Sequence, residues 1–152
     1  MKYLYVIEKT LNNYGAFFPD LPGVATATSK AELEEKMAQV LATVLHDYAL
    51  RRQTPPAATP KDALDLSEYE PEAYEIADVE PALLNPISLE IERAIRKTGM
   101  TEAEVARRMG TSRASLTRIT DPFYWGHSLS MLRRFAEAVG AEVKLEFPPK
   151  AA

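Results

Sequence analysis

The chain has 152 residues, 46% of them hydrophobic, and a formal net charge of −4. It has no cysteine and only two histidines, His46 and His127, well separated in sequence, so disulfides, thiolate zinc sites, cysteine nucleophiles and an imidazole-built catalytic metal centre are not expected. No cofactor is expected. The charge is uneven: residues 54–86 carry only Lys61 against eight carboxylates, while the remainder beyond residue 86 holds 11 basic and 8 acidic residues. A locally basic module can meet phosphates even in a chain that is acidic overall.

Met1 to Ile7 resembles the start of a signal peptide, but its apolar run stops at Glu8-Lys9, too short for an h-region, and no small-residue cleavage site follows. No stretch approaches the roughly 20 apolar residues of a membrane span. The default expectation is a cytoplasmic protein without membrane contact.

Tyr3 to Thr10 is rich in aromatic and β-branched residues and predicts a strand. Asn12-Asn13-Tyr14-Gly15 predicts a turn, Ala16 to Phe18 the returning strand, Asp20 to Gly23 a second turn, and Val24 to Thr28 a third strand. Ser29 predicts an N-cap, with Glu32 completing a capping box. The helix that follows sets Leu33, Met37, Val40, Leu41, Val44, Leu45 and Tyr48 on one face, with the sheet as its cover. His46 lies off that stripe and reads as a flank residue. The proline-rich run from Gln53 to Pro60 is a loop. Ala73 to Val79 has the alternation of a fourth strand, with Tyr74, Ile76 and Asp78 on one face; a solvated acidic linker is the other reading.

Asn85-Pro86 starts a helix with Ile87, Ile91, Ala94 and Ile95 as its apolar stripe and Gly99 as its stop. Thr101 caps a second helix, with Glu104 at the capping-box position, and Gly110 ends it. A third begins at once from Thr111-Ser112. This spacing predicts a helix-turn-helix: Ala106 where two helices cross, Gly110 in the turn, and Val105, Met109, Leu116 and Ile119 in the shared core. The candidate DNA-contacting residues are Thr101, Thr111, Ser112, Arg113, Ser115, Thr117 and Arg118, because short polar side chains and arginine suit base edges and phosphates. A helix-turn-helix that serves only to dimerise is the competing reading.

Phe123-Tyr124-Trp125 is expected to plug the small core rather than stack on bases, and His127 to be a loop residue. Ser128 caps a last helix with Leu132, Phe135, Ala136 and Val139 on one face. Glu142 to Phe147 alternates strictly and predicts a strand; since a lone strand leaves backbone groups unpaired, the same strand of a second subunit is the simplest partner. A homodimer or tetramer built this way would present recognition helices to a palindromic operator.

In this order the segments resemble the HicB antitoxins. The residues that carry the likeness are Tyr14-Gly15-Ala16-Phe17-Phe18-Pro19-Asp20-Leu21-Pro22-Gly23-Val24 with the long helix after them. Glu104 to Gly110 and Leu116 to Pro122 are similar to the family's helix-turn-helix subclass. The chain departs from the family at Ala27-Thr28-Ser29, where members often have Gly-Asp-Thr, and in its long acidic insert. The resemblance implies an α+β protein. A partial ribonuclease-H-like β-β-β-α-β domain would occupy residues 1–80, including the acidic linker or strand region 54–80. An all-α helix-turn-helix domain ending in a β-strand would occupy 85–148. It further implies an antitoxin that neutralises a HicA-type mRNA-cleaving toxin and represses its own operon, the acidic segment having the charge to imitate RNA. The alternative is a stand-alone repressor whose N-terminal domain oligomerises or senses a ligand. An enzyme is not expected, since nuclease chemistry of the ribonuclease-H type needs converging carboxylates, whereas Asp20 lies in a turn, Glu8 ends a strand and Asp47 lies on the helix.

Overall fold

The computed structural model describes residues 1–151 and is an α+β structure with one four-stranded sheet. It divides into two compact units, Met1–Leu83 and a second beginning at Leu84. Among the described residues no helix is long and apolar enough to cross a membrane.

In the first unit β1 (Tyr3–Lys9), β2 (Tyr14–Phe17) and β3 (Val24–Ala27) form an antiparallel meander. The first turn is tighter than the one expected at Asn12-Asn13-Tyr14-Gly15. Thr10 N donates to Asn13 O, and the Thr10 hydroxyl both donates to Asn13 O and accepts from Asn13 N. Tyr14 and Gly15 therefore already pair with Lys9 and Glu8, and the returning strand begins two residues earlier than expected.

Helix α1 (Lys30–Leu50) follows Ser29, whose hydroxyl accepts from Glu32 N. The Glu32 carboxylate reaches the N–H and hydroxyl of Thr28 rather than Ser29, so the capping box closes one residue further out. Leu33, Met37 and Leu41 are fully buried against the sheet, each worth about 2 kcal/mol of apolar transfer. Val40, Val44, Leu45 and Tyr48 pack around them, so the whole expected stripe faces the core.

Residues 74–79 form β4, which joins the free edge of β1 to give the order β3-β2-β1-β4. A strand entered directly from α1 would run parallel to β1, because the helix returns the chain to the end where β1 starts. Residues 51–73 prevent this by travelling the length of the sheet first, so β4 enters from the other end and pairs antiparallel. Near the start of β1, Pro56 O accepts from the Tyr3 hydroxyl and Thr59 donates through both N–H and hydroxyl to Asp20. Further on, Tyr69 stacks on Phe17 at 6.0 Å and meets Tyr74 edge-on at 6.1 Å. Val6, fully buried yet outside the helix-side core, lies on this second face of the sheet. The acidic stretch is thus partly a strap across the sheet and partly its fourth strand.

The second unit is helical: α2 (Pro86–Thr98), α3 (Glu102–Met109), α4 (Arg113–Thr120) and α5 (Leu129–Val139). Its core is Ile91, Ile95, Val105, Ala106, Met109, Leu116, Ile119, Phe135 and Ala138. The strand expected at Glu142–Phe147 does not form: residues 141–150 are exposed and without regular structure. An all-helical unit has no sheet edge for them to join, and a single strand has no ladder.

Candidate nucleic-acid interface

Helices α3 and α4 are eight residues each, too short to hold their shape without caps and shared packing. Thr101 accepts from Glu104 N, and Ser112 accepts from Ser115 N, fixing the first turn of each. Between them Gly110 adopts φ +66°, the left-handed geometry that ends α3 and redirects the chain. Its N–H bonds to Arg107 O, and Thr111 N to Ala106 O. A guanidinium nitrogen of Arg134, from α5, donates to Met109 O at 2.6 Å, capping a carbonyl the turn leaves free.

The residues expected in the shared core, Val105, Ala106, Met109, Leu116 and Ile119, are all buried, and Gly110 is the turn residue. The outward-facing set is altered in one respect. Arg113, Thr117 and Arg118 are exposed, but Ser115 is half-buried, its hydroxyl 3.0 Å from that of Ser112. The cap draws it inward. Ala114 takes its place, and Arg113, Ala114, Thr117 and Arg118 line one stripe of α4. Thr111 is half-buried in the turn, and Ser112 is exposed with its hydroxyl occupied by the cap.

Arg113 Nε lies 3.7 Å from Glu102, which sets the first turn of α3, with Thr101 before it, beside the first turn of α4. Arg118 has no ion-pair partner among the described residues. Arg107 and Arg108 both bond to Glu104, whose carboxyl is held down to about 2, chiefly by the hydrogen bonds from these two arginines. Glu104 therefore serves its neighbours rather than the capping box it was expected to close.

Behind α4 lies a polar knot that residue spacing does not reveal. Asn85, buried, caps α2 through Ile87 N and donates from Nδ2 to Tyr124 O at 2.8 Å. The same Nδ2 lies 3.3 Å from His127 Nδ1, so that ring nitrogen is an acceptor and Nε2 carries the hydrogen. Of the three adjacent aromatics, Tyr124 packs on the core, Phe123 is half-buried and Trp125 is exposed. The loop therefore plugs the core through one ring, not three.

The carboxylates weighed for catalysis are engaged separately: Asp20 by Thr59 and Asp47 by Arg51. No group of three or more histidine, aspartate or glutamate side chains able to hold a metal occurs among the described residues.

No family model matches the chain. No curated protein matches it either. A solved chain from a structure titled "HicA3 and HicB3 toxin-antitoxin complex" is similar at 20% identity and a TM-score of 0.44, over 54% of this chain and 99% of that one.

Proposed function

We propose that the second unit is a helix-turn-helix that binds duplex DNA through α4, and that the protein is a HicB-type antitoxin repressing its own operon. The observation that carries the DNA reading is the exposed stripe Arg113, Ala114, Thr117 and Arg118, held out by a core that includes buried Ala106 and by the left-handed turn at Gly110. A helix about 10–12 Å across fits the major groove, where arginine reads guanine, a threonine hydroxyl donates to or accepts from a base edge, and a methyl group meets that of thymine. No carboxylate lies between Glu104 and Asp121, so no residue in that span repels the phosphates.

The antitoxin reading rests on the sequence resemblance over residues 14–24 and the long helix that follows. In it the first unit, a ribonuclease-H-like domain, grips a small mRNA-cleaving toxin of the HicA type, and residues 54–80 add negative charge beside the toxin's RNA-binding surface. Two experiments test the two halves separately. Gel-shift titration against the DNA upstream of its own gene should give a specific complex that Arg113→Ala and Arg118→Ala weaken. Co-expression with the short reading frame beside its gene should yield a stable complex and rescue cells from that frame's toxicity. Operator binding without toxicity or complex would leave a plain repressor.

A further inference from the structure

We propose that Trp125 packs on the sugar–phosphate backbone of the duplex beside the groove that α4 enters, its indole N–H donating to a phosphate oxygen. The inference rests on the DNA reading of α4 and adds a contact outside that helix. Trp125 is the chain's one tryptophan and is 56% exposed, while the ring before it, Tyr124, packs on the core. The loop holds it there. Tyr124 N donates to Asp121 O, its carbonyl accepts from buried Asn85, and its hydroxyl folds back to donate to Gly126 O at 3.0 Å. A Cβ on Gly126 would stand 2.5 Å from that hydroxyl, so the folded ring occupies the space a side chain would need. Both neighbours of Trp125 are thus pinned, and His127, two residues on, ties the loop to Ile119 O near the end of α4.

A tryptophan on a pinned loop loses little freedom on binding, and it joins a large apolar body to a donor-only N–H. The wall of a DNA groove offers the complement: phosphate oxygens that only accept, with the carbon face of deoxyribose between them. The bases of a duplex are stacked and present only their edges to the groove. A ring at the end of a helix lying in that groove therefore meets the wall and not a base face. The charge around the loop agrees. From Pro122 to Ala136 there is no carboxylate, and Asp121 turns its Oδ1 onto Phe123 N at 2.9 Å. Arg118, in the last turn of α4, and Arg133, exposed on α5, flank the loop in sequence, and neither makes an ion pair among the described residues. An acid-free loop between two unpaired arginines fits a polyanion better than an apolar protein surface.

Because Trp125 is the sole tryptophan, its fluorescence reports this loop and nothing else. Adding a duplex of the DNA upstream of the gene to the full chain should shift the emission to shorter wavelength and shield the ring from acrylamide. In binding titrations Trp125→Ala should weaken the complex roughly tenfold, through loss of the donor and of the packed ring. Trp125→Phe, which keeps a ring without the donor, should fall between that variant and the wild type. A backbone contact carries no sequence information, so affinity for a random duplex should drop by the same factor. Indole is neutral and releases no counterion, so the salt slope should stay as it is. Matching melting curves verify that the variants keep the fold. A complex that forms while Trp125 emission and acrylamide quenching stay as in the free chain would overturn the proposal and leave the role of α4 standing. So would wild-type affinity in Trp125→Ala, or a loss confined to the upstream duplex, which marks a base contact. Failure of the wild-type chain to bind the upstream duplex at all would remove the DNA reading itself, and this contact with it.

Discussion

Nε2 of His127 lies 2.7 Å from the carbonyl oxygen of Ile119, the last core residue of α4. A loop histidine thereby satisfies the C-terminal end of the helix proposed to read DNA, while its other ring nitrogen meets Asn85 at the start of α2. Ser88, fully buried on α2, lies 3.2 Å from Nε2 and completes the knot.

His127→Ala should destabilise the second unit by about 1–3 kcal/mol, since it strands a helix-end carbonyl and part of a buried amide. Urea denaturation followed by circular dichroism measures this. A loss under about 0.5 kcal/mol, the range of ordinary surface substitutions, would show that water replaces the ring at no cost.

Gly110→Ala should cost about 1–2 kcal/mol, from left-handed backbone strain rather than crowding. A Cβ at that position meets nothing nearer than Arg134 at 3.9 Å. Gly110→Asn, a residue that tolerates this conformation, should recover part of the loss. Equal destabilisation by Ala and Asn would point to a steric cause instead. Ala106→Leu, by contrast, overpacks the core shared by α3 and α4 and should cost about 1–3 kcal/mol with no rescue by backbone choice.

Arg113→Ala and Arg118→Ala should each weaken operator binding by about 1–3 kcal/mol if they read bases, or by a uniform amount with a shallower salt slope if they hold phosphates. Arg134→Ala tests the opposite case. Because its guanidinium caps Met109 O, its loss should appear first as lower thermal stability. Binding titrations at several salt concentrations beside melting curves distinguish the two kinds of arginine; a double variant of Arg113 and Arg118 with wild-type affinity would remove α4 from the DNA interface.

Glu104 gives a pH dependence with a definite sign. Its carboxyl is lowered from 4.5 to about 2 by Arg107 and Arg108. A depressed acid contributes stability that is complete above its unfolded value and is lost as pH falls through the folded one. The support for α3 should therefore hold at pH 5 and fade between about 4.5 and 2. The pair is open to solvent, so salt should weaken it. A side-chain carbon NMR titration with a Glu104 midpoint near 4.5 would show that the arginines do not hold it.

Much of this protein is written locally. Ser29, Asn85, Thr101, Ser112 and Ser128 each cap the helix they precede, and Gly99, Gly110 and Gly140 end theirs in left-handed geometry. Such signals are legible because a cap needs only its own residue and the next three. The apolar stripes of α1, α3 and α4 are legible for the same reason, since helical period alone selects a face.

What lay beyond the sequence involves partners far apart in the chain. The direction of β4 depends on how far residues 51–73 travel before pairing with β1, which no period encodes. Asn85 and His127 are 42 residues apart, and their hydrogen bond exists only once α2 and the loop after α4 are packed. The inward turn of Ser115 and the capping role of Arg134 likewise follow from neighbours that packing supplies. Residues 142–147 mark the limit: their alternation states a preference for a strand, but a strand needs a ladder, and the folded unit offers no edge to build one.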